Sequence, residues 1–307
     1  MEPIKNIMVC LDLTEMDNIL MEYAAFLCTQ MPQLEKVVFA HNIKFDYPQE
    51  AEQIIDNLKR PLPELLEEVI AEKMAGHFQP TREVETKILI EADSSTPHAL
   101  ARMARIWDAG ITLVGKKIAY RGSGLTAEKL LRLFNFETAL LMIPEATTFT
   151  LDHLVVPTDF SENAMTALAF AKNISESSQA TLQSVHVLSV PAHYFPYIPV
   201  TNVSDALRKD AEKNYRKFLK TAKDREVITE DVPATFVFSE GRSSGEVIYE
   251  QAVHSRANMI VVGARGKGGW ATLLGSVTVQ LIKKDMYVPL LIVRRKATKK
   301  NGGTLGQ

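Results

Sequence analysis

"DHLVVPTDFSENAMTALAFAKNI" (Asp152–Ile174) decides the fold, because the chain carries the same phrase twice. A shift of 147 residues lays it on "KNIMVCLDLTEMDNILMEYAAFL" (Lys5–Leu27), setting Asp12 on Asp159, Thr14 on Ser161 and Glu15 on Glu162. Each copy runs from a short apolar stretch through a polar turn into helical spacing, the order expected of a buried strand followed by a helix. The same succession returns downstream. "VVFAHNI" (Val37–Ile43) parallels "LQSVHVL" (Leu182–Leu188), and "EADSS" from Glu91 parallels "EGRSS" from Glu240. "ITLVGKK" from Ile111 parallels "MIVVGAR" from Met259, and "ALLMIP" from Ala139 parallels "PLLIVR" from Pro289. Offsets that drift only between 145 and 150 describe two copies of one module. Residues 1–147 and 148–296 are therefore expected to be two domains, with 297–307 a polar, glycine-rich flexible tail.

Within a copy, β-branched runs such as "HLVVPT" and "MIVVGA" alternate with helical segments, which implies parallel strands joined by crossover helices. In "VSDALRKDAEKNYRKFLKTAKD", Val203, Leu207, Ala211, Tyr215 and Leu219 fall on one stripe with charges on the other face, as in a helix packed on a sheet. Ser243 and Glu246 have the spacing of a capping box. The expected fold is α/β: two tandem modules, each a five-stranded parallel sheet with helices on both faces. Ligands of such sheets bind beyond the carboxyl ends of the strands at the switch point, where Asp159, His186 and Gly263 should meet.

Composition narrows the function. The 307 residues are 46% hydrophobic and 23% charged with a formal net charge of −2, which leaves no basic surface suited to neutralising a duplex. Nucleic acid is not expected as a partner. Cys10 and Cys28 lie in apolar patterns without metal-ligand spacing, so they read as buried thiols in a reducing compartment, and no metal site is expected. No apolar run approaches the length of a membrane helix, and the N-terminus lacks a signal-peptide pattern. A soluble, cytoplasmic protein with no membrane partner is the expectation.

"VVGARGKGGWATLLGSVT" (Val261–Thr278) is the segment with chemistry in it. Glycines let a backbone turn sharply and approach a ligand closely. "GSVT" opens a helical pattern, and the N–H groups of Ser276, Val277 and Thr278 would make a helix-start anion site. The hydroxyls of Ser276 and Thr278 add donors, and Arg265 and Lys267 add charge. The competing reading is a mobile surface turn.

"HLVVPTDFSENAMTALAFA", "SVHVLSV" and "VVGARGKGGWATLLGSVTVQLIKKDMYVPLLIV" together resemble the universal stress protein family, over the whole second half. The resemblance implies an adenine nucleotide alpha hydrolase-like module and, for ATP-binding members, a GxxG, nine residues, then G followed by Ser or Thr. Here eight residues separate Gly266 from Gly275, which shortens the loop over the phosphates. Carried over, the resemblance places Pro157, Thr158, Asp159 and Val187 at the base and ribose end, and Gly263, Gly266, Gly275, Ser276 and Val277 at the ribose and phosphates. Asp159 reads equally as a cap of the following helix, a task Ser161 could also perform. The resemblance also implies that the two modules pair through their final strands as an internal pseudo-dimer, with a homodimer of chains left open.

The first copy departs from the pattern. Gly115 stands, but Ile118 replaces the second glycine and "AEKL" (Ala127–Leu130) falls on "GSVT", with Glu128 repelling phosphate. "RGSG" (Arg121–Gly124) reads as a flexible turn. His41 and His186 read as hydrogen-bonded histidines at the sheet end, with no catalytic residue assigned. "PAHYFPYIPVT" (Pro191–Thr201) reads as a lid, an oligomer contact or a rigid connector. The leading expectation is a stress-response protein that binds ATP or another adenine nucleotide, with or without Mg²⁺, in its second domain, sensing rather than catalysing, with at most slow hydrolysis. The alternative is a nucleotide-free scaffold that binds a protein partner.

Overall fold

Side chains along each strand alternate between two cores, one on either face of a single sheet. In β1 (Asn6–Leu11), Ile7, Val9 and Leu11 enter one core while Met8 and Cys10 enter the other. In β6 (His153–Pro157), Leu154 and Val156 face the first core and Val155 the second. This is the period-two pattern of a strand buried on both sides. The computed structural model describes residues 3–44, 60–117, 125–133, 138–189, 200–265 and 274–294.

The first half continues with α1 (Met16–Gln30), β2 (Lys36–Ile43), α2 (Leu62–His77), β3 (Glu85–Ala92), α3 (Thr96–Ile106), β4 (Ile111–Lys116), α4 (Leu125–Leu133) and β5 (Ala139–Pro144). After β6 the second half repeats the order with α5 (Glu162–Ser178), β7 (Thr181–Leu188), α6 (Val200–Asp224), β8 (Ala234–Phe238), α7 (Ser244–His254), β9 (Met259–Gly263), α8 (Ser276–Lys283) and β10 (Leu290–Val293).

The ten strands form one sheet in the order β3-β2-β1-β4-β5-β10-β9-β6-β7-β8. Every neighbouring pair is parallel except β5 and β10, which run antiparallel with Leu141 opposite Leu291. The two halves therefore join through their last strands, as the family resemblance implies. α1, α2, α5 and α6 cover one face, and α3, α4, α7 and α8 the other. Within each half the strand order reverses between β1 and β4, and again between β6 and β9.

The repeat extends to the backbone. Leu13 and Phe160, equivalent residues just past the first strand of each half, both adopt positive φ, 61° and 64°. Bulky residues rarely tolerate this left-handed conformation, so its recurrence marks a turn imposed by the module itself. Helix starts follow the sequence signals. Ser161 caps α5 by accepting from the Ala164 N–H at 3.2 Å, and Ser243 caps α7 by accepting from the Glu246 N–H at 3.3 Å.

One detail corrects the sequence comparison. α4 starts at Leu125, so Ser276 at the head of α8 corresponds to Leu125 rather than to Glu128. The connection after β4 is shorter than that after β9, and an ungapped shift cannot follow a change in loop length. Glu128 still lies in the first turn of α4. Cys10 and Cys28 are buried free thiols, their pKa values raised by burial, that of Cys28 to about 11. Among the described residues no helix is long and apolar enough to cross a membrane.

Candidate functional site

The carboxyl ends of β6, β7 and β9 enclose a cavity of about 260 Å³ at the second switch point. Pro157, Thr158 and Asp159 line it from the end of β6, Val187 from β7, Gly263 from β9, and Gly275, Ser276 and Val277 from the head of α8. Gly266, Ile118, Arg121–Gly124, the tail 297–307 and 191–199 of the aromatic, proline-rich stretch lie outside the described residues. Apart from Gly266, every residue assigned from sequence to the nucleotide lines this one cavity. The rest of its wall comes from Ala164, Val185, His186, Ser244, Ile248, Val262, Arg265 and Thr278.

The β6–α5 turn holds its shape by internal hydrogen bonds. Thr158 N–H donates to the Val185 carbonyl at 2.9 Å, Phe160 N–H to the Thr158 hydroxyl at 3.1 Å, and Ser161 N–H to Asp159 Oδ1 at 3.0 Å. Ser161 is thus the helix cap. Asp159 orients the turn that leads into it.

His186 Nδ1 lies 2.7 Å from the Thr158 carbonyl, and a carbonyl can only accept, so Nδ1 carries the proton and Nε2 is the acceptor. Burial lowers the His186 pKa against the opposing pull of Thr158 and Asp159. The ring stacks on Phe160 with centroids 4.4 Å apart. His41 repeats the arrangement in the first half, with Nδ1 3.0 Å from the Leu11 carbonyl.

At the other end of the cavity, the Gly275 N–H donates to the Ala264 carbonyl at 2.9 Å, which draws the head of α8 against the end of β9. The first N–H groups of α8 have no partner within their helix and open on the cavity together with its positive dipole end. The sequence offers the Thr278 hydroxyl as a further donor to the ligand, but the fold uses it. It is buried and donates to the Gly263 carbonyl at 2.9 Å. Arg265 adds charge, and its Nε is buried without a hydrogen-bond partner among the described residues. Burial and the neighbouring Arg265 both hold the Arg294 pKa below its usual range. Arg265 lines the cavity together with the head of α8, and both favour an anion there.

Ser244, at the head of α7, was not legible as a wall residue because it reaches the cavity through packing between helices. A Cβ on Gly245 would stand 2.6 Å from Gln280 Cβ, and Gly245 N–H donates to Gln280 Oε1 at 2.8 Å. Only glycine lets α7 and α8 meet this closely, and Ser244 and Ser276 both line the cavity.

At the corresponding place in the first half, side chains of the chain itself meet. Lys117, equivalent to Arg265, pairs with Asp12 Oδ2 at 3.0 Å, and Thr14 donates to Asp12 Oδ1 at 2.6 Å. Burial pulls the Asp12 pKa up, but these partners hold it below the usual carboxylate range. The Met16 side chain lies over Gly115, where an added Cβ would be 2.4 Å from Met16 Cγ.

The universal stress protein family model matches residues 150–294, the half that contains the cavity. Residues 150–294 thus form a universal stress protein domain. A universal stress protein of Methanocaldococcus jannaschii is 29% identical over 147 residues, which are 46% of this chain and 81% of that relative. The whole two-half fold is also found elsewhere. A universal stress protein from Archaeoglobus fulgidus superposes with a TM-score of 0.64 at 17% identity, over 94% of this chain and 98% of that one. A functionally unknown protein from Pseudomonas aeruginosa PAO1 does so with a TM-score of 0.62 at 14% identity, over 95% of this chain and 93% of that one. These likenesses show the universal stress protein fold across both halves.

Proposed function

We propose that the second half of this universal stress protein binds one adenine nucleotide, ATP first among them, with the phosphates at the head of α8. One observation carries the reading. One cavity at the switch point brings together the strand-end residues Pro157, Thr158, Asp159 and Val187 and an anion-seeking end formed by Gly275, Ser276, Val277 and Arg265. Asp159 can accept from ribose hydroxyls, main-chain groups near Val187 can read a base edge, and the α8 N–H groups suit phosphate oxygens. Mg²⁺ would enter with the phosphates rather than on a site of the protein's own.

Binding is the function, and turnover is at most slow. Asp159 and His186 are both engaged in the β6–α5 turn, away from the phosphate end, so hydrolysis would rest on positioning alone. We read residues 1–147 and 148–296 as two domains forming an internal pseudo-dimer, only the second of which takes nucleotide.

Ser276→Asp tests the site without endangering the fold, because a carboxylate at a helix head favours the helix while repelling phosphate. Calorimetric titration with ATP should give one site per chain in the unaltered protein and none in Ser276→Asp, at an unchanged or higher Tm. Absence of binding to the unaltered protein, or equal binding by the variant, overturns the assignment.

A further inference from the structure

The outer face of α6 is basic along a single stripe. With 3.6 residues per turn, Lys209, Lys213, Arg216, Lys217 and Lys220 share one side of the helix, and all five are exposed. The rise per residue spreads them over about 16 Å. They line one shallow surface, and among the described residues none of them forms an ion pair. Other polar groups of this helix do find partners. Lys223 pairs with Asp231 at 2.9 Å, and Asp210 accepts from Asn214 at 3.0 Å. Like charges three and four residues apart work against a helix, so the stripe is a burden on the chain by itself.

Between α6 and the head of α5 runs a groove of about 420 Å³. Its apolar lining is Phe160, Met165 and Phe218, with the Phe160 and Phe218 rings 6.1 Å apart. The Arg225–Glu162 pair, at 2.8 Å, bounds it. Lys217 borders both the groove and the basic surface, so the one opens onto the other. The lining is held in place within the chain, because Phe160 belongs to the positive-φ turn after β6 and stacks on His186. Asp159 lines the cavity at the strand ends while its neighbour Phe160 lines the groove, so the two places are adjacent but separate.

We propose that the stripe and the groove together are a docking surface for an acidic segment of a partner protein, with carboxylates on the five cations and one apolar side chain in the groove. Successive cations stand about 5–6 Å apart, a spacing that carboxylates four residues apart on a helix reproduce. The groove supplies the second half of the recognition, an apolar anchor beside the charges. An anionic bilayer would meet the stripe but receive nothing from it. Among the described residues the exposed large apolar side chains are Val69, Ile106, Phe149, Val253 and Tyr287, and none of them lies on α6. A nucleic acid has phosphates for the stripe and no aliphatic or aromatic side chain for the groove.

Fluorescence anisotropy with the full-length protein tests this. The probe is a fluorescein-labelled peptide of about twelve residues, long enough as a helix to follow the stripe, made of glutamate and alanine with one central phenylalanine. It should bind in low salt, with a Kd that rises about tenfold or more on going to about 0.3 M salt. The same peptide with alanine at its centre should bind about tenfold more weakly, since it leaves the groove unfilled. Lys213→Glu/Lys217→Glu should weaken both peptides by more than about tenfold at an unchanged circular dichroism spectrum. Thr221→Trp, which fills the groove from its α6 side, should bring the phenylalanine peptide down to the affinity of the alanine one and leave the latter unaltered. No binding in low salt, equal affinity for the two peptides, or undiminished binding by the lysine variant overturns the proposal. So does tighter binding of oligothymidylate or of phosphatidylserine vesicles than of the phenylalanine peptide, if the lysine variant loses it, because the stripe would then belong to a polyanion.

Discussion

A Cβ placed on Gly263 would stand 2.7 Å from the main-chain oxygen of Asn163 and 2.9 Å from its carbonyl carbon. Backbone cannot yield as a side-chain tip can, so Gly263→Ala should cost roughly 1–3 kcal/mol by thermal denaturation, with or without nucleotide. A neutral substitution would show that the α5 head has room to move. Asp17 offers a second residue-level test. It is wholly buried in α1, accepts from the Asp12 N–H at 3.0 Å through Oδ1, and leaves Oδ2 without a hydrogen-bond partner. Burial pushes its pKa up to about 6, against the opposing pull of the Asp12 N–H. The folded state then keeps this proton up to about pH 6 and the unfolded state only to about 3.9. Between those values the folded state binds more protons, so Asp17 gives stability at low pH that is lost as the pH rises from about 4 to about 6. Asp17→Asn should flatten that part of the Tm–pH curve, and an unchanged slope would place the titration elsewhere. Single residues also show what sequence could convey. Asp159, His186 and Gly263 were legible because strand ends in a parallel sheet converge at the switch point, whereas Pro157, Thr158 and Val187 came from the family resemblance. The spent Thr278 hydroxyl and the Lys117–Asp12 pair were not, because each depends on the separation of two elements.

At the scale of elements, α8 is held at both ends. Its head is drawn in by the Gly275 bond to Ala264, while its last turn receives the Lys116 ammonium on the carbonyls of Ile282 and Lys284. Lys116 belongs to β4 of the other half. Burial lowers its pKa to about 8, with Asp285 opposing, so it is still a cation at neutral pH where it meets the negative end of the helix. Lys116→Met should lower stability by about 1–2 kcal/mol in chemical denaturation. A loss confined to the noise of the measurement would make this clasp ornamental. Strand and helix order was legible from the repeated apolar runs, and Ser161 and Ser243 from their capping positions. A lysine reaching across from the other half has no local signature.

For the whole molecule, the decisive contact is the β5–β10 pair. Leu290, Leu291, Ile292 and Val293 are all buried, and cutting the chain at residue 148 would bare β10 as an unpaired apolar edge. Residues 148–296 expressed alone should therefore dimerise through β10, giving twice the chain mass by light scattering, or precipitate; a soluble monomer would show that the seam is dispensable. The seam has a further consequence. Because β5 and β10 run in opposite directions, the carboxyl ends of the two halves' strands point to opposite rims of the sheet, about 20 Å apart for strands of this length. The cavity thus sits on one rim and the Asp12–Lys117 pair on the other. The chain is one-ended, like a key with a cut bit and a plain bow: whatever grasps the plain rim leaves the cut one exposed.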